Sequence, residues 1–268
     1  MILINGSDDE IINHCFAREV MIKLKSYNPV IINNKIASTH FSTIRKKFNK
    51  WSNDGIFEAA FNKCINLTKI NKNVKLSIDA SFINNKYGIE DIALNIDNKK
   101  KRASKISIIT DIDKFIYSIL SIKVKINEIV KIDKRKKENK KRKLKKRQGF
   151  VHDVNTIQES LNKINTIYNF TNLTLLGDKG YISSNKYKYN NVDVNLLTYK
   201  KKNQVPNTNN EMEILKERIY SENALGKIKK NERIMTRKDH KIKNYMSFVF
   251  LGSLINNLKI IKNKSKNL

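Results

Sequence analysis

Acid is scarce in this chain. Its 268 residues carry 25 Asp and Glu against 54 Lys and Arg, a formal net charge of +29. That imbalance points to a polyanionic partner, nucleic acid first, with a membrane surface as the competitor. Long apolar runs are also missing. No stretch approaches the ~20 residues needed to span a bilayer, and neither a signal peptide nor a lipidation motif is found. The longest apolar run, residues 248–255, is interrupted by Gly252 and Ser253 and reads as a buried helix. Cysteine is nearly absent. Cys15 and Cys64 lie far apart without metal-type spacing, which excludes a disulfide framework and leaves two buried thiols of a reducing compartment. The single tryptophan, Trp51, lies between Phe48 and Phe57 and is expected in the core, not as a base-stacking platform. Lys, Asn and Ile are used heavily, the imprint of an AT-rich genome, so part of the charge excess is compositional drift.

The length suits one sizeable core plus a small accessory domain. Residues 1–72 read as helical: 8–25 has helical apolar spacing, and 42–51 and 54–67 follow, with Asp54-Gly55 as a turn and Asp54 as a helix cap. Short helices rich in Arg45, Lys46, Lys47 and Lys50 have the form of a helix-turn-helix DNA-binding unit. A helical cap on the next domain would show the same pattern, and the two readings stand level. Beyond residue 73 strands take over. Residues 74–83 form the first, and 105–110 with 115–124 form a hairpin across Asp111-Ile-Asp113, where both acids read as turn formers. In 134–147, eleven of fourteen residues are Lys or Arg, so 131–148 is expected to be a solvated basic loop. It reads equally as a phosphate-gripping arm or a low-complexity insertion. A helix over 156–168 with a Thr156/Glu159 capping box comes next, then strands ending at Asp178 and over 192–198, helices over 210–230 and 243–261, and a basic tail at 263–268. Strands alternating with helices define an α/β domain.

Against this background two acids stand out. Val74-Lys-Leu-Ser-Ile-Asp79-Ala-Ser-Phe-Ile83 alternates apolar and polar residues and puts an Asp inside a strand. Leu173-Thr-Leu-Leu-Gly-Asp-Lys-Gly-Tyr181 is an apolar run that delivers Asp178 to a sheet edge. Asp is depleted in strands, and an unpaired charge there is costly. A cation, most simply a divalent metal, would offset that cost at both positions. The alternative is that each Asp lies just past a strand end and caps a turn.

Four motifs in order carry a resemblance. Ser77-Ile-Asp79-Ala-Ser-Phe-Ile-Asn-Asn-Lys-Tyr-Gly88, Gly149-x-x-His-Asp153, Leu176-Gly-Asp-Lys-Gly-Tyr181 and Arg218-x-x-x-Glu222, with Lys229 seven residues further on, resemble the DDE transposases of bacterial insertion sequences, in the family-five and family-four branch. Trp51 to Gly55 also resembles that family's N-terminal region. The resemblance implies a ribonuclease-H-like core at 73–262, a mixed sheet flanked by helices, behind a small all-helical domain at 1–72. It implies metal-dependent cleavage and transfer of DNA strands, with Asp79, Asp178 and Glu222 as catalytic ligands of two Mg2+ or Mn2+ ions. Asp79 would bridge the ions, and Asp178 and Glu222 would each serve one. Arg218 and Lys229 would contact DNA phosphates or orient their helix, and Lys179, Arg45 and Lys46 complete the expected DNA-binding set. The partner would be double-stranded DNA, both element ends and target, held by a dimer. Without the family, Arg218, Glu222 and Lys229 would read as an ion-paired solvated helix face. His152 reads as a local hydrogen-bonding residue. Two positions depart from the family: Leu215 stands where it has Tyr, and Phe150 where it has Asn. Three functions are compatible with these residues: an active transposase, an inactive or domesticated DNA-binding protein of the same fold, and a structure-selective nuclease.

Overall fold

The computed structural model describes residues 31–32, 35–36, 41–67, 73–95, 101–129, 145–164, 170–201 and 203–266. The helix expected at 8–25 and Cys15 lie outside them. Within the N-terminal region expected to be all-helical, Ile31–Ile32 (β1) and Lys35–Ile36 (β2) pair antiparallel. Helices follow at Phe41–Asn53 (α1) and Ile56–Ile65 (α2). Asp54 does not cap α2. The junction takes Gly55 at φ 72°, a left-handed conformation open to glycine at little cost, and backbone bonds close it, Asp54 N to Lys50 O at 2.8 Å and Gly55 N to Ser52 O at 3.3 Å. Trp51 is not core either: it is 38% exposed, because Phe48 takes the inner position against Phe248 while Trp51 meets Phe57 edge-on from the rim.

Asn73–Asn85 (β3), thirteen residues long, is the axis of an eight-stranded mixed sheet. On one side it pairs antiparallel with Lys101–Thr110 (β5). The far edge of β5 is shared by Ala93–Asn95 (β4) and Ile116–Ser121 (β6), both antiparallel to it. The β5–β6 hairpin turns across Asp111 as expected, with the Asp111 carboxylate accepting from Phe115 N at 2.9 Å and from the Tyr117 hydroxyl at 3.0 Å. Val124–Ile129 (β7) and Lys145–Phe150 (β8) form a separate antiparallel pair. The expected basic loop at 131–148 is therefore too long at its end, since Lys145 already belongs to a strand whose backbone pairs with Ile129; residues 130–144 lie outside the described residues.

After a short turn of 3-10 helix, Ile157–Asn162 (α3) follows. Its predicted capping box does not form, because the Thr156 hydroxyl donates instead to Asp153 O at 2.6 Å. Asn172–Gly177 (β9) then lies parallel to β3 on the edge opposite β5. Beyond it come Val192–Thr198 (β11), parallel to β9, and Tyr187–Tyr189 (β10), antiparallel to β11. The single helix expected over 210–230 is two, Asn209–Lys216 (α4) and Ile219–Lys229 (α5). Tight i to i+3 bonds at Glu217 and Arg218 turn the chain between them, and a full capping box at Thr208 and Glu211 starts the first. Glu232–Met235 (α6), Thr236–Arg237 (β12, parallel to β3) and Ile242–Lys266 (α7) complete the fold.

Helices flank the sheet. The core joins Leu76, Ile78, Ile83, Ile106 and Ile108 of the central strands to Phe61 of α2, Leu161 of α3, Ala224 and Leu225 of α5, and Tyr245 and Phe250 of α7. Apolar burial on this scale supplies the main driving force for folding, about 1.5–3 kcal/mol for each large side chain. Cys64 is a buried free thiol, and the run at 248–255 lies within α7, both as expected.

Candidate active site

The edge of β3 that β9 occupies is only partly paired. β9 covers it from Asn73 to Ser77, and β12 returns only at Asn84. Asp79 stands at the start of that gap, in mid-strand. It is no turn cap, and its carboxylate accepts a 2.9 Å hydrogen bond from Ala80 N. Asp178 follows the last residue of β9. The β3–β9 register ends with Ser77 opposite Leu176, and Asp79 and Asp178 both follow two residues beyond that last pair, at the same end of the ladder. For Asp178 the capping alternative is also realised, since its carboxylate accepts from Gly180 N at 2.7 Å. Gly177 lets the chain fold back this tightly: a Cβ there would sit 2.9 Å from Tyr181 Cβ.

Glu222 enters from α5, which packs across β3 and β5. Arg218 Nη2 holds its carboxylate at 2.5 Å, the i,i+4 pair that the spacing predicts. At the other end of the helix, Lys229 Nζ reaches into the gap beside β3 and donates to Ser81 Oγ at 2.9 Å. The charges meet at Asp79. Burial above all, then the charges of Glu222 and Asp178, push its carboxyl up to about 6; the Ala80 hydrogen bond and Arg218 oppose the rise. Burial lowers Lys229, and the charge of Asp79 partly restores it.

The five residues expected at the centre therefore share one neighbourhood. Lys179 is exposed next to Asp178, while Arg45 and Lys46 are exposed on α1, a helix packed on α2 and α7. Leu215, at the family's Tyr position, is fully buried with Leu176 and Leu197, and so supports the end of β9 from beneath. His152 is exposed.

Its neighbour Asp153, quoted in the sequence only as the end of a motif and given no role there, belongs to the same neighbourhood. Asp153 pairs with Lys105 Nζ at 2.6 Å and lies near Gly180, and its charge joins those of Asp79 and Asp178 in raising the buried Tyr181 hydroxyl, where burial is the largest cause. Lys105, with a side chain only 11% exposed, also lies 4.8 Å from the Phe82 ring centre. The available signal was Lys105 set between Ser104 and Ile106 in the buried stretch of β5, where a cation needs a carboxylate partner.

Carboxylate oxygens are the donors that Mg2+ and Mn2+ prefer, so the residues fit a hard divalent ion in kind. Among the described residues, no three His, Cys, Asp or Glu side chains are gathered closely enough to hold one. Glu222 is occupied by Arg218, and Asp178 by Gly180 N.

No family model and no curated protein matches the sequence. Among solved structures, the piggyBac transposase in a synaptic complex with hairpin DNA has a similar fold, at 11% sequence identity and a TM-score of 0.50. The match covers 95% of this chain and 63% of that one, so this chain spans less than two thirds of its length. The shared feature is the fold, a mixed sheet flanked by helices. No helix among the described residues is long and apolar enough to cross a membrane.

Proposed function

We propose that the chain is a transposase of an insertion-sequence-type element, a metal-dependent polynucleotidyl transferase with a ribonuclease-H-like core. The observation that carries this reading is that Asp79, Asp178 and Glu222 lie in one neighbourhood in a chain so poor in acid, where burial first, and the charges of Glu222 and Asp178 after it, raise the Asp79 carboxyl. The sheet supports it: β3, β5 and β6 run antiparallel in sequence, and β9 and β11 continue parallel to β3 on the other edge. The fold shared with a transposase agrees.

Divalent ions would supply activation of the attacking oxygen and stabilisation of the leaving 3′ oxygen. Asp79, Asp178 and Glu222 would hold them, with Asp79 central among the three acids. Glu222 would hold an ion in place of Arg218, and the Arg218 guanidinium would then be available to a DNA phosphate on the same helix face. Lys229 and Lys179 supply further phosphate contacts, and the helices within 1–72, with Arg45 and Lys46, supply binding of double-stranded DNA outside the centre. A dimer on DNA follows from the need to bring two element ends together.

The test is strand cleavage and joining in Mg2+ or Mn2+ on DNA carrying the sequences that flank this gene. Wild type should cleave and join, and Asp79→Ala, Asp178→Ala and Glu222→Ala should each abolish both. Cleavage of branched or single-stranded DNA without joining would replace a transposase with a nuclease. The Arg218–Glu222 ion pair favours a second reading, a DNA-binding protein with an inert core. Salt-sensitive DNA binding, indifferent to EDTA and without cleavage in either metal, would establish it.

A further inference from the structure

We propose that the loop following β3 is a stacking platform for an unpaired nucleobase, with Tyr87 and His240 as its two faces. The proposal rests on the DNA reading above. The loop leaves large side chains in water: Tyr87 is 48% exposed and Ile89 72%. Yet it is pinned from beneath. The Asn85 side chain donates to Gly88 O at 3.1 Å and accepts from Gly88 N at 2.9 Å. Lys86 N donates to Arg237 O and Ile89 N to His240 O. Arg237, wholly buried, donates to the carbonyls of Glu90 at 2.6 Å, His240 at 2.7 Å and Asp239 at 3.0 Å, and to Ser104 Oγ at 2.8 Å. The Glu90 carboxylate accepts from Ile242 N at the start of α7. A buried guanidinium demands such complete engagement, and here it fixes a loop that holds Tyr87 and Ile89 out in water between the exposed Lys86 and Glu90.

The two rings suit a base. Tyr87 and His240 have centroids 6.5 Å apart and planes within 19° of parallel, the loose end of the range for aromatic pairs. A base ~3.4 Å thick fits between two rings whose planes stand ~7 Å apart face to face, so admitting one requires Tyr87 and His240 to align over each other and open. Lys86 Nζ lies 4.9 Å from the Tyr87 ring centre, and Lys241 is exposed beside His240, which places cations where a phosphate backbone would pass. Bases inside a duplex have both faces covered, so such a platform selects unpaired nucleotides. Asn85 is six residues past Asp79, ~20 Å along the strand, so the platform would hold DNA away from the reacting phosphodiester.

The test is fluorescence anisotropy of the full chain with a labelled single-stranded oligonucleotide and its duplex. Tyr87→Ala should weaken single-strand binding about 5- to 100-fold and change duplex binding less than about twofold. Tyr87→Phe should bind as wild type. A 2-aminopurine in the single strand should be quenched by wild type and not by Tyr87→Ala. His240→Ala, on the other side of the slot, should repeat the selective loss, and it decides the matter if Tyr87→Ala melts early. Unchanged single-strand affinity in both variants, or equal loss for single strand and duplex, overturns the platform while leaving DNA binding intact. A wild-type protein that binds neither form overturns the DNA reading and the platform with it.

Discussion

Replacing Asp79 by Asn should make the protein more stable at neutral pH while abolishing its activity. Partial burial above all, and then the charges of Glu222 and Asp178, push the Asp79 carboxyl up to about 6 from its ordinary 3.8. The folded state thus holds that proton more tightly than the unfolded chain does. The stability this provides is fully present below pH 3.8 and is lost as pH rises through about 6. A shift of about two units corresponds to an upper limit of about 3 kcal/mol. Asn has nearly the same shape and no charge, so it avoids that loss. Urea unfolding in EDTA should therefore show Asp79→Asn and wild type converging near pH 4. The variant should be ahead by up to about 3 kcal/mol at pH 7.5. Magnesium should close the gap from the wild-type side alone, by about 1.4 kcal/mol at ten times Kd. A variant less stable than wild type at pH 7.5, with a difference independent of pH, would refute both the desolvation of Asp79 and its closeness to the other acids.

Asn257 is wholly buried on α7 and bonds both backbone groups of Ile116, accepting from its N–H at 2.9 Å and donating to its carbonyl at 2.8 Å. Asn257→Leu should leave that pair on β6 unsatisfied and lower the unfolding free energy by about 2–5 kcal/mol in urea titration. Glycine replacements should split by site. A Cβ at Gly88 would lie 2.4 Å from Arg237 Nε, so Gly88→Ala should cost about 1–3 kcal/mol. Gly226→Ala, in the interior of α5 with open space around it, should instead raise the melting temperature, being worth about 0.5–1 kcal/mol.

The central strands were legible from their apolar alternation, and Asp79 stood out because a carboxylate inside a strand is costly. Asp178 stood out as the acid that ends an apolar run, and it lies just past β9, where it caps a turn. Glu222 became legible through Arg218 and Lys229, whose spacing keeps all three near one helix face. What stayed hidden has local causes. The break between α4 and α5 has no Gly or Pro to announce it, only tight backbone bonds at Glu217 and Arg218. β8 runs through a Lys- and Arg-rich segment and β12 is only Thr236 and Arg237, so pairing, not apolar alternation, makes those strands. Arg237 reads in sequence as one more surface cation, and only the tertiary fold reveals it as the fully buried centre of four hydrogen bonds.

Arg218 is where metal binding and DNA binding can be separated. It ion-pairs with Glu222 and also holds the Asp79 carboxyl below the value that burial alone would set. In the metal-free protein it therefore stands in for part of the positive charge that the acids require. Two consequences oppose each other. Arg218→Ala removes a competitor for Glu222, so calorimetric titration should show Mg2+ binding more tightly than to wild type. The same substitution removes a phosphate contact, so DNA cleavage should fall even at saturating metal. It should also move the pH at which Asp79→Asn gains its advantage upward, because Asp79 loses a compensating positive charge. Weaker Mg2+ binding together with an unmoved pH profile would mean that Arg218 serves only to hold α5 in place. The acids would then have to find their cation without displacing it.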